Sequence, residues 1–291
     1  MIELFYGVEF IKGGMYSLAK GMEKLFLELG GQISLETEVK EIVIEGKEAK
    51  GIIVEGEFIE SDYLVCGADF PYAMKHLIKD ENKRGKYTDK KIDEMEYSCS
   101  CFLMYLGIDK KIGAKSLHTI HFAKDFQKNI DDIFKYGKLP EDPSYYIYVP
   151  SLYDESLAPD GKEAVYVLVP VPDTSMYSRW DEHQVQSYKK LIIDKIQNET
   201  EFTDLGDHIE FETFMTPNDF RKRFNAYNGA TFGLRPSLKQ SNYWRPHNKF
   251  DYADRLYFAG SSVHPGAGVP IVLQSAKLAV EELLRDDDQE R

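Results

Sequence analysis

Leu256-Tyr257-Phe258-Ala259-Gly260-Ser261-Ser262-Val263-His264-Pro265-Gly266-Ala267-Gly268-Val269-Pro270, followed by the apolar-periodic run Ile271 to Leu284, is the stretch whose reading decides the fold. The first four residues read as a short apolar strand and Gly260 to Pro270 as a Gly/Pro-rich turn. The spacing after Pro270 predicts a helix with a polar C-terminal tail. A buried strand feeding a glycine-rich turn that opens a helix is a general anion or cofactor site. Free backbone N–H groups and the positive helix end leave the turn together. These glycines do not follow the G-x-G-x-x-G spacing, and they lie at the wrong end of the chain for a first nucleotide-binding βαβ unit.

Upstream, Gly229 to Pro236 reads as a Gly-containing loop and Thr216-Pro217-Asn218-Asp219 as an N-capped helix start. Ile209 to Thr213 is strand-like, and Asp181 to Glu199 carries Val185, Tyr188, Leu191, Ile192 and Ile196 on one helical stripe. Long strands with interleaved aromatics are predicted at Cys99 to Ile108, Tyr145 to Pro150 and Ala164 to Pro172. They form either an apolar tunnel or ordinary core. Between them, Asp125 to Lys135 is polar helix or loop. Near the start, Met15, Leu18, Met22, Leu25, Phe26 and Leu29 predict an amphipathic helix ended by Gly30-Gly31. Ile33 and Leu35 read as a strand, followed by a meander of hairpins around Gly46, Gly51 and Gly56. Tyr63 to Cys66 is wholly apolar, as expected of a strand buried on both faces, and ends at Gly67-Ala68-Asp69. The charge-dense segment Lys79 to Lys91 marks a domain boundary nearby.

Composition narrows the class. With 291 residues, 43% hydrophobic and 13% aromatic, the chain can bury a real core, and rods or low-complexity disorder are excluded. A net charge of -13 with dispersed Lys and Arg argues against nucleic acid as a partner. No run is apolar for the length a bilayer needs and no leader pattern opens the chain, so the expected location is cytoplasmic. Met1 leads almost at once into an extended aromatic stretch and a Gly13-Gly14 turn, as in the middle of a longer sequence. Three cysteines, Cys66, Cys99 and Cys101, do not make a disulfide framework. Cys99 and Cys101 would share one strand face as small buried hydrophobes, a metal pair being the less favoured alternative because no second Cys/His pair stands at zinc-like spacing.

The segment Leu256 to Leu284 resembles the C-terminal flavin-binding signature of the phytoene desaturase (carotenoid desaturase) family of FAD-dependent oxidoreductases, with His264 to Pro270 its densest match. Landmarks of that family also match at Lys12 to Leu18, Thr37-Glu38-Val39, Gly67-Ala68-Asp69, Leu139 to Pro143, Leu157 to Gly161, Gly229 to Pro236 and Arg245-Pro246. The resemblance implies an α/β fold: an incomplete FAD-binding domain of flavin amine oxidase type (residues 1–75 and 216–291) and a mixed-sheet α+β substrate-binding domain (residues 76–215). It implies FAD as cofactor and an apolar polyene or lipid-like substrate that gives up a hydride. By position, Glu38 and Val39 would flank the adenosine. Gly260, Ser261, Gly266, Ala267, Gly268, Val269 and Pro270 would face the pyrophosphate and the isoalloxazine ring, with Gly229, Phe232 and Ile271 along the substrate pocket.

His264 is the candidate catalytic group as a proton relay, or else simply bonds the turn. Arg245 would pair with a phosphate, an acidic partner or a surface charge. No metal is expected. Two departures from the family pattern stand out: Val263 replaces a hydroxyl residue and Ile271 a small one. The first βαβ unit with its dinucleotide fingerprint has no counterpart. The chain therefore reads as the C-terminal part of a desaturase, expected to hold FAD weakly and to be inactive alone. It would leave apolar faces that drive self-association or await an N-terminal polypeptide. A non-catalytic lipid-binding fragment or partner subunit, or another amine oxidase-like enzyme, is the alternative. Peripheral membrane contact is implied only by the substrate class.

Overall fold

The computed structural model describes residues 9–290; the aromatic opening expected before Glu9 lies outside the described residues. Helix α1 (Met15–Glu28) forms as the periodicity dictates, and Gly30, at φ 88°, ends it with Gly31 N–H bonding the Phe26 carbonyl at 3.0 Å. Residues 31–38 are irregular: Ile33 and Leu35 pair with no strand, correcting the reading of that alternation. The meander follows as β1 (Val39–Glu45), β2 (Glu48–Val54) and β3 (Glu57–Glu60). Then β4 (Leu64–Cys66) leads into wide turns over Phe70–Tyr72 and Ala73–Leu77 and the short helix α2 (Asp89–Asp93).

Next come β5 (Ser100–Ile108), β6 (His118–His121), α3 (Phe126–Asp131), β7 (Tyr145–Tyr148), β8 (Glu163–Val171), α4 (Glu182–Glu199) and β9 (Ile209–Met215). The five strands form one antiparallel sheet in the order β6-β7-β8-β5-β9. β5 and β8 pair without a slip from Ser100↔Val171 to Ile108↔Glu163, so period two sorts their side chains cleanly. One face (Phe102, Met104, Leu106, Ile108, Val165, Val167, Val169) packs on Tyr188, Ile192 and Ile196 of α4. At the centre Phe102 stacks on Trp180 and Phe214, with centroids 5.4 and 5.9 Å away. On the other face Cys101, Leu103 and Met215 lie against Phe220 of α5 (Pro217–Phe224), a helix started by the Thr216–Asp219 capping box.

Farther along that face Tyr105, Tyr148, Tyr166 and Phe211 line an open, mainly apolar groove of about 1000 Å³, which Met15 and Leu157 border from outside the sheet. Strand aromatics therefore form core on one face and, on the other, the wall of an open groove rather than the tunnel the sequence allowed.

A second core gathers Ile42, Phe70, Met74, Leu77, Ile78, Tyr87, Ile92, Phe250, Leu256, Phe258 and Val263. Val263 is thus a core residue. In this region β4 pairs in parallel with β10 (Leu256–Phe258). β10 is wholly buried. β4, expected to be buried on both faces, leaves Val65 48% exposed, because among the described residues it joins only β10 and the second core covers one of its faces. The final helix α6 (Val269–Glu290) starts two residues earlier than the periodicity suggests and takes the polar tail into the helix.

Candidate functional site

Parallel pairing of β4 and β10 places their C-terminal ends side by side, with Ala259 N–H on the Cys66 carbonyl at 3.1 Å. Crevices beyond the carboxyl ends of parallel strands are where α/β sheets take ligands. Here Gly67, Ala68, Asp69 and Ala259 to Val263 line a cavity of about 380 Å³, with Phe220, Phe224, Ala230, Thr231 and Gly233 on the facing side. Phe220 also packs on Cys101, Leu103 and Met215, on the sheet face that carries the groove farther along.

The turn is held from beneath by polar side chains. Ser262 Oγ donates to Asp69, whose second carboxylate oxygen accepts Tyr227 N–H at 2.9 Å. Burial pushes the Asp69 carboxyl above the usual carboxylate range, opposed by these bonds. Asn248 Nδ2 lies 3.0 Å from both the Phe258 and His264 carbonyls and 3.2 Å from that of Ser275. Ser275 Oγ donates to the His264 carbonyl at 2.7 Å and accepts Gly260 N–H at 3.2 Å. β10, the turn and α6 are thereby locked together.

The expected site residues divide. Gly260 and Ser261 line the cavity. Gly266 is buried in the turn, Ala267 half-buried, and Gly268, Val269 and Pro270 form an exposed helix start, with Ile271 half-buried behind. Gly229 is buried at φ 67°, and a Cβ there would meet the Pro217 carbonyl oxygen at 2.3 Å, so it shapes the α5 loop. Phe232 is half-exposed while its neighbours Thr231 and Gly233 line the cavity. Glu38 is exposed and ion-paired with Lys40, and Val39 begins β1; neither lines the cavity.

His264 lines a separate cavity with His247, Asn248 and Leu278 on the flank of α6. Burial, then His247 and Arg245, hold its imidazole below the ordinary histidine range. The backbone N–H of His264 donates to the Pro246 carbonyl at 2.8 Å. Arg245 makes no surface ion pair: it is buried and bonded to carbonyls. Both Cys99 and Cys101 are free thiols, raised by burial, Cys99 to about 11 and Cys101 further. Sequence reasoning missed Asp69, Asn248 and Ser275 as site residues, since single polar residues, two in loops and Ser275 on α6, carry no periodic signal.

A cavity of about 380 Å³ has room for part of a flavin dinucleotide. A Cβ on Gly67 would meet nothing within 4 Å, and one on Gly260 only the Gly67 carbonyl oxygen at 3.9 Å. Gly260 also sits at φ 140°, where side chains are disfavoured. The first intrahelical bond of α6 runs from Val272 N–H to the Gly268 carbonyl at 2.8 Å, so the Val269 and Ile271 N–H groups precede the helical ladder. A helix start of this kind favours negative charge.

Residues 3–284 match the model of the family described as flavin containing amine oxidoreductase. Among curated proteins, the 4,4'-diapophytoene desaturase (4,4'-diaponeurosporene-forming) of Staphylococcus aureus strain MSSA476 is 47% identical over 99% of this chain and 59% of its own length. That of strain Newman is 47% identical over 98% of this chain and 58% of its own. The chain thus spans about three fifths of the length of the curated relatives it matches. An oxidoreductase from Methanosarcina mazei superposes with a TM-score of 0.54 at 15% identity, covering 94% of this chain and 55% of that one. A putrescine oxidase double mutant redesigned in cofactor binding gives 0.57 at 10% identity, covering 96% and 53%. At those identities the two structures speak for the fold alone.

Proposed function

Because this chain belongs to the flavin containing amine oxidoreductase family, we propose that it holds FAD over the Gly260 to Pro270 turn and forms part of an oxidoreductase acting on an apolar polyene. The observation that carries this reading is the opening at the ends of β4 and β10, walled by Gly67, Gly233 and Gly260. Bound there, the flavin supplies the hydride acceptor. The Val269 and Ile271 N–H groups that precede the α6 ladder would favour negative charge on a flavin held at this turn.

Asp69 positions Ser262, and through it the turn, against β4. Tyr105, Tyr148, Tyr166 and Phe211 give a long apolar substrate a dry wall. The Staphylococcus aureus relatives are named for 4,4'-diapophytoene, and a polyene of that class is the substrate we assign. For His264 we favour the role of bonding the turn over proton relay, since it lines the α6 flank and not the cradle. Glu38 and Val39 belong on the adenosine side by the same reading, and Phe232 and Ile271 near the substrate. The division into 1–75, 76–215 and 216–291 serves it too, with Leu77, Ile78, Tyr87 and Ile92 adding their side chains to the core of the FAD-side unit. Self-association and peripheral membrane contact through exposed apolar residues of α1, such as Leu25 and Phe26, complete the proposal.

The test is a titration of the full chain with FAD, followed by flavin fluorescence, beside Gly67→Leu. That substitution fills open space without forcing a strained backbone. Expected is saturable uptake by the wild type and an affinity lower by about tenfold or more in the variant, with stability kept within about 0.5 kcal/mol. Equal affinity in both would refute the cradle. Polyene binding in the groove without flavin uptake would support the non-catalytic alternative instead.

A further inference from the structure

Three cations are buried among the described residues: Arg84, Lys195 and Arg245. Arg84 bonds Asp89 at 2.7 Å, and Lys195 pairs with both Asp142 and Glu199. Arg245, 3% exposed, has no carboxylate partner among the described residues. Its Nε donates to the Val263 carbonyl at 2.9 Å and Nη2 to Ser261 at 2.6 Å and Leu234 at 3.3 Å. Nη1 reaches Leu234 and Gln240 at 3.4 Å. A Cβ on Gly266 would stand 3.9 Å from its Cζ, so the guanidinium lies directly under the turn whose other side opens to the cradle. The one carboxylate lining that cavity, Asp69, is engaged by Ser262 and Tyr227.

Burying a whole charge against neutral carbonyls costs stability, and a neutral donor could make several of the same bonds. What only the charge provides is a field, and in a poorly polarisable interior it reaches over the turn. We propose that Arg245 is the fixed counter-charge of this site, stabilising negative charge on the flavin held above the Gly260 to Pro270 turn. The inference rests on the functional reading above. Arg245 acts through the field and through the turn it holds, as a positioning residue, and touches no reacting atom.

Sulfite is a suitable probe because its addition leaves a flavin negatively charged, and its affinity is read from absorbance without turnover. The full chain is saturated with FAD and titrated with sulfite as wild type, Arg245→Gln and Arg245→Lys. Expected is a loss of about tenfold or more in sulfite affinity for the Gln variant. The Lys variant, which keeps the charge but not the fork, should stay within about threefold of wild type despite lower thermal stability. Wild-type sulfite affinity in Arg245→Gln overturns the inference and leaves the flavin reading standing. So does a Lys variant that loses about tenfold, a result that decides the matter even if the Gln variant fails to fold. Wild-type chain that takes up no flavin overturns the functional reading, and this inference with it.

Discussion

The five-stranded sheet and the β4–β10 pair are held in different ways. The first closes its own core: α4 covers one face, and Phe102 is sealed among Trp180, Tyr188 and Phe214. The second buries β10 completely but leaves Val65 of β4 half-exposed, with Leu25 and Phe26 of α1 and Val280 and Leu284 of α6 exposed as well. Both regions have a buried core, but the strand ends are also tied by polar pins, while the broader ligand room lies along the sheet. Phe102→Ala should break the sheet region at a cost of about 3–5 kcal/mol. Val65→Ala should change stability by about 0.5 kcal/mol or less, since half its surface is already in water. Urea unfolding followed by tryptophan fluorescence measures both, and equal losses would erase the contrast.

A middling effect is expected where the strand ends are pinned. Asn at position 69 could still accept the Ser262 hydroxyl but would present an amide to Tyr227 N–H, leaving a buried donor unmet for about 1–3 kcal/mol. The folded pKa of Asp69 lies above its unfolded value. Between the two, the folded chain keeps a proton the unfolded chain has released, so this group's contribution to stability falls as pH rises through that window. The deficit of Asp69→Asn should therefore be largest at the acid side of the window and shrink toward neutral pH. A deficit that grows with pH would contradict the burial described for this carboxyl.

This contrast also explains what the sequence could say. In the sheet, burial alternates along β8 residue by residue, so Val165, Val167 and Val169 announce the strand and its face. The α4 stripe and the Thr216–Asp219 cap are equally local signals, and all three stand where expected. Ile33 and Leu35 carried the same alternation and formed no strand, because an apolar pattern needs a partner strand and none pairs with them. Apolar content in Leu64 to Cys66 did not mean burial on both faces, because β4 pairs with β10 but has a core against one face alone. At the site, the glycine turn was legible because backbone geometry is written in residue type. The pins were not: Asn248 and Asp69 reach partners 10 to 193 residues away, and nothing local marks such contacts. Arg245 was visible as a landmark, yet its burial without a carboxylate follows only from tertiary packing.

Smaller effects on folding are expected from the exposed apolar surface, with a clear effect on association. Leu25→Lys combined with Val65→Lys should leave the unfolding midpoint nearly unchanged, since neither side chain is buried. The same pair should shift the chain toward monomer in multi-angle light scattering, because large exposed apolar patches promote association. A wild type that is already monomeric would show that these surfaces do not pair, and would sharpen the difference between them and the closed sheet.

The smallest signal comes from Cys66, next to Val65 on β4. Successive residues on a strand point to opposite faces, so an exposed Val65 places Cys66 on the covered side, against the second core. Burial, partly offset by the Ala68 N–H, pushes its thiol up to about 11. At pH 8 its thiolate fraction is then about a hundredfold below that of an unperturbed thiol, and alkylation should slow in proportion. Mass-resolved labelling with iodoacetamide should find Cys66 slow, Cys101 slower still, and all three cysteines equal in urea. Fast labelling of Cys66 in the folded chain would mean that the inner face of β4 opens to solvent. The asymmetry between the two faces of that strand, and with it the closed floor of the cradle, would then be lost.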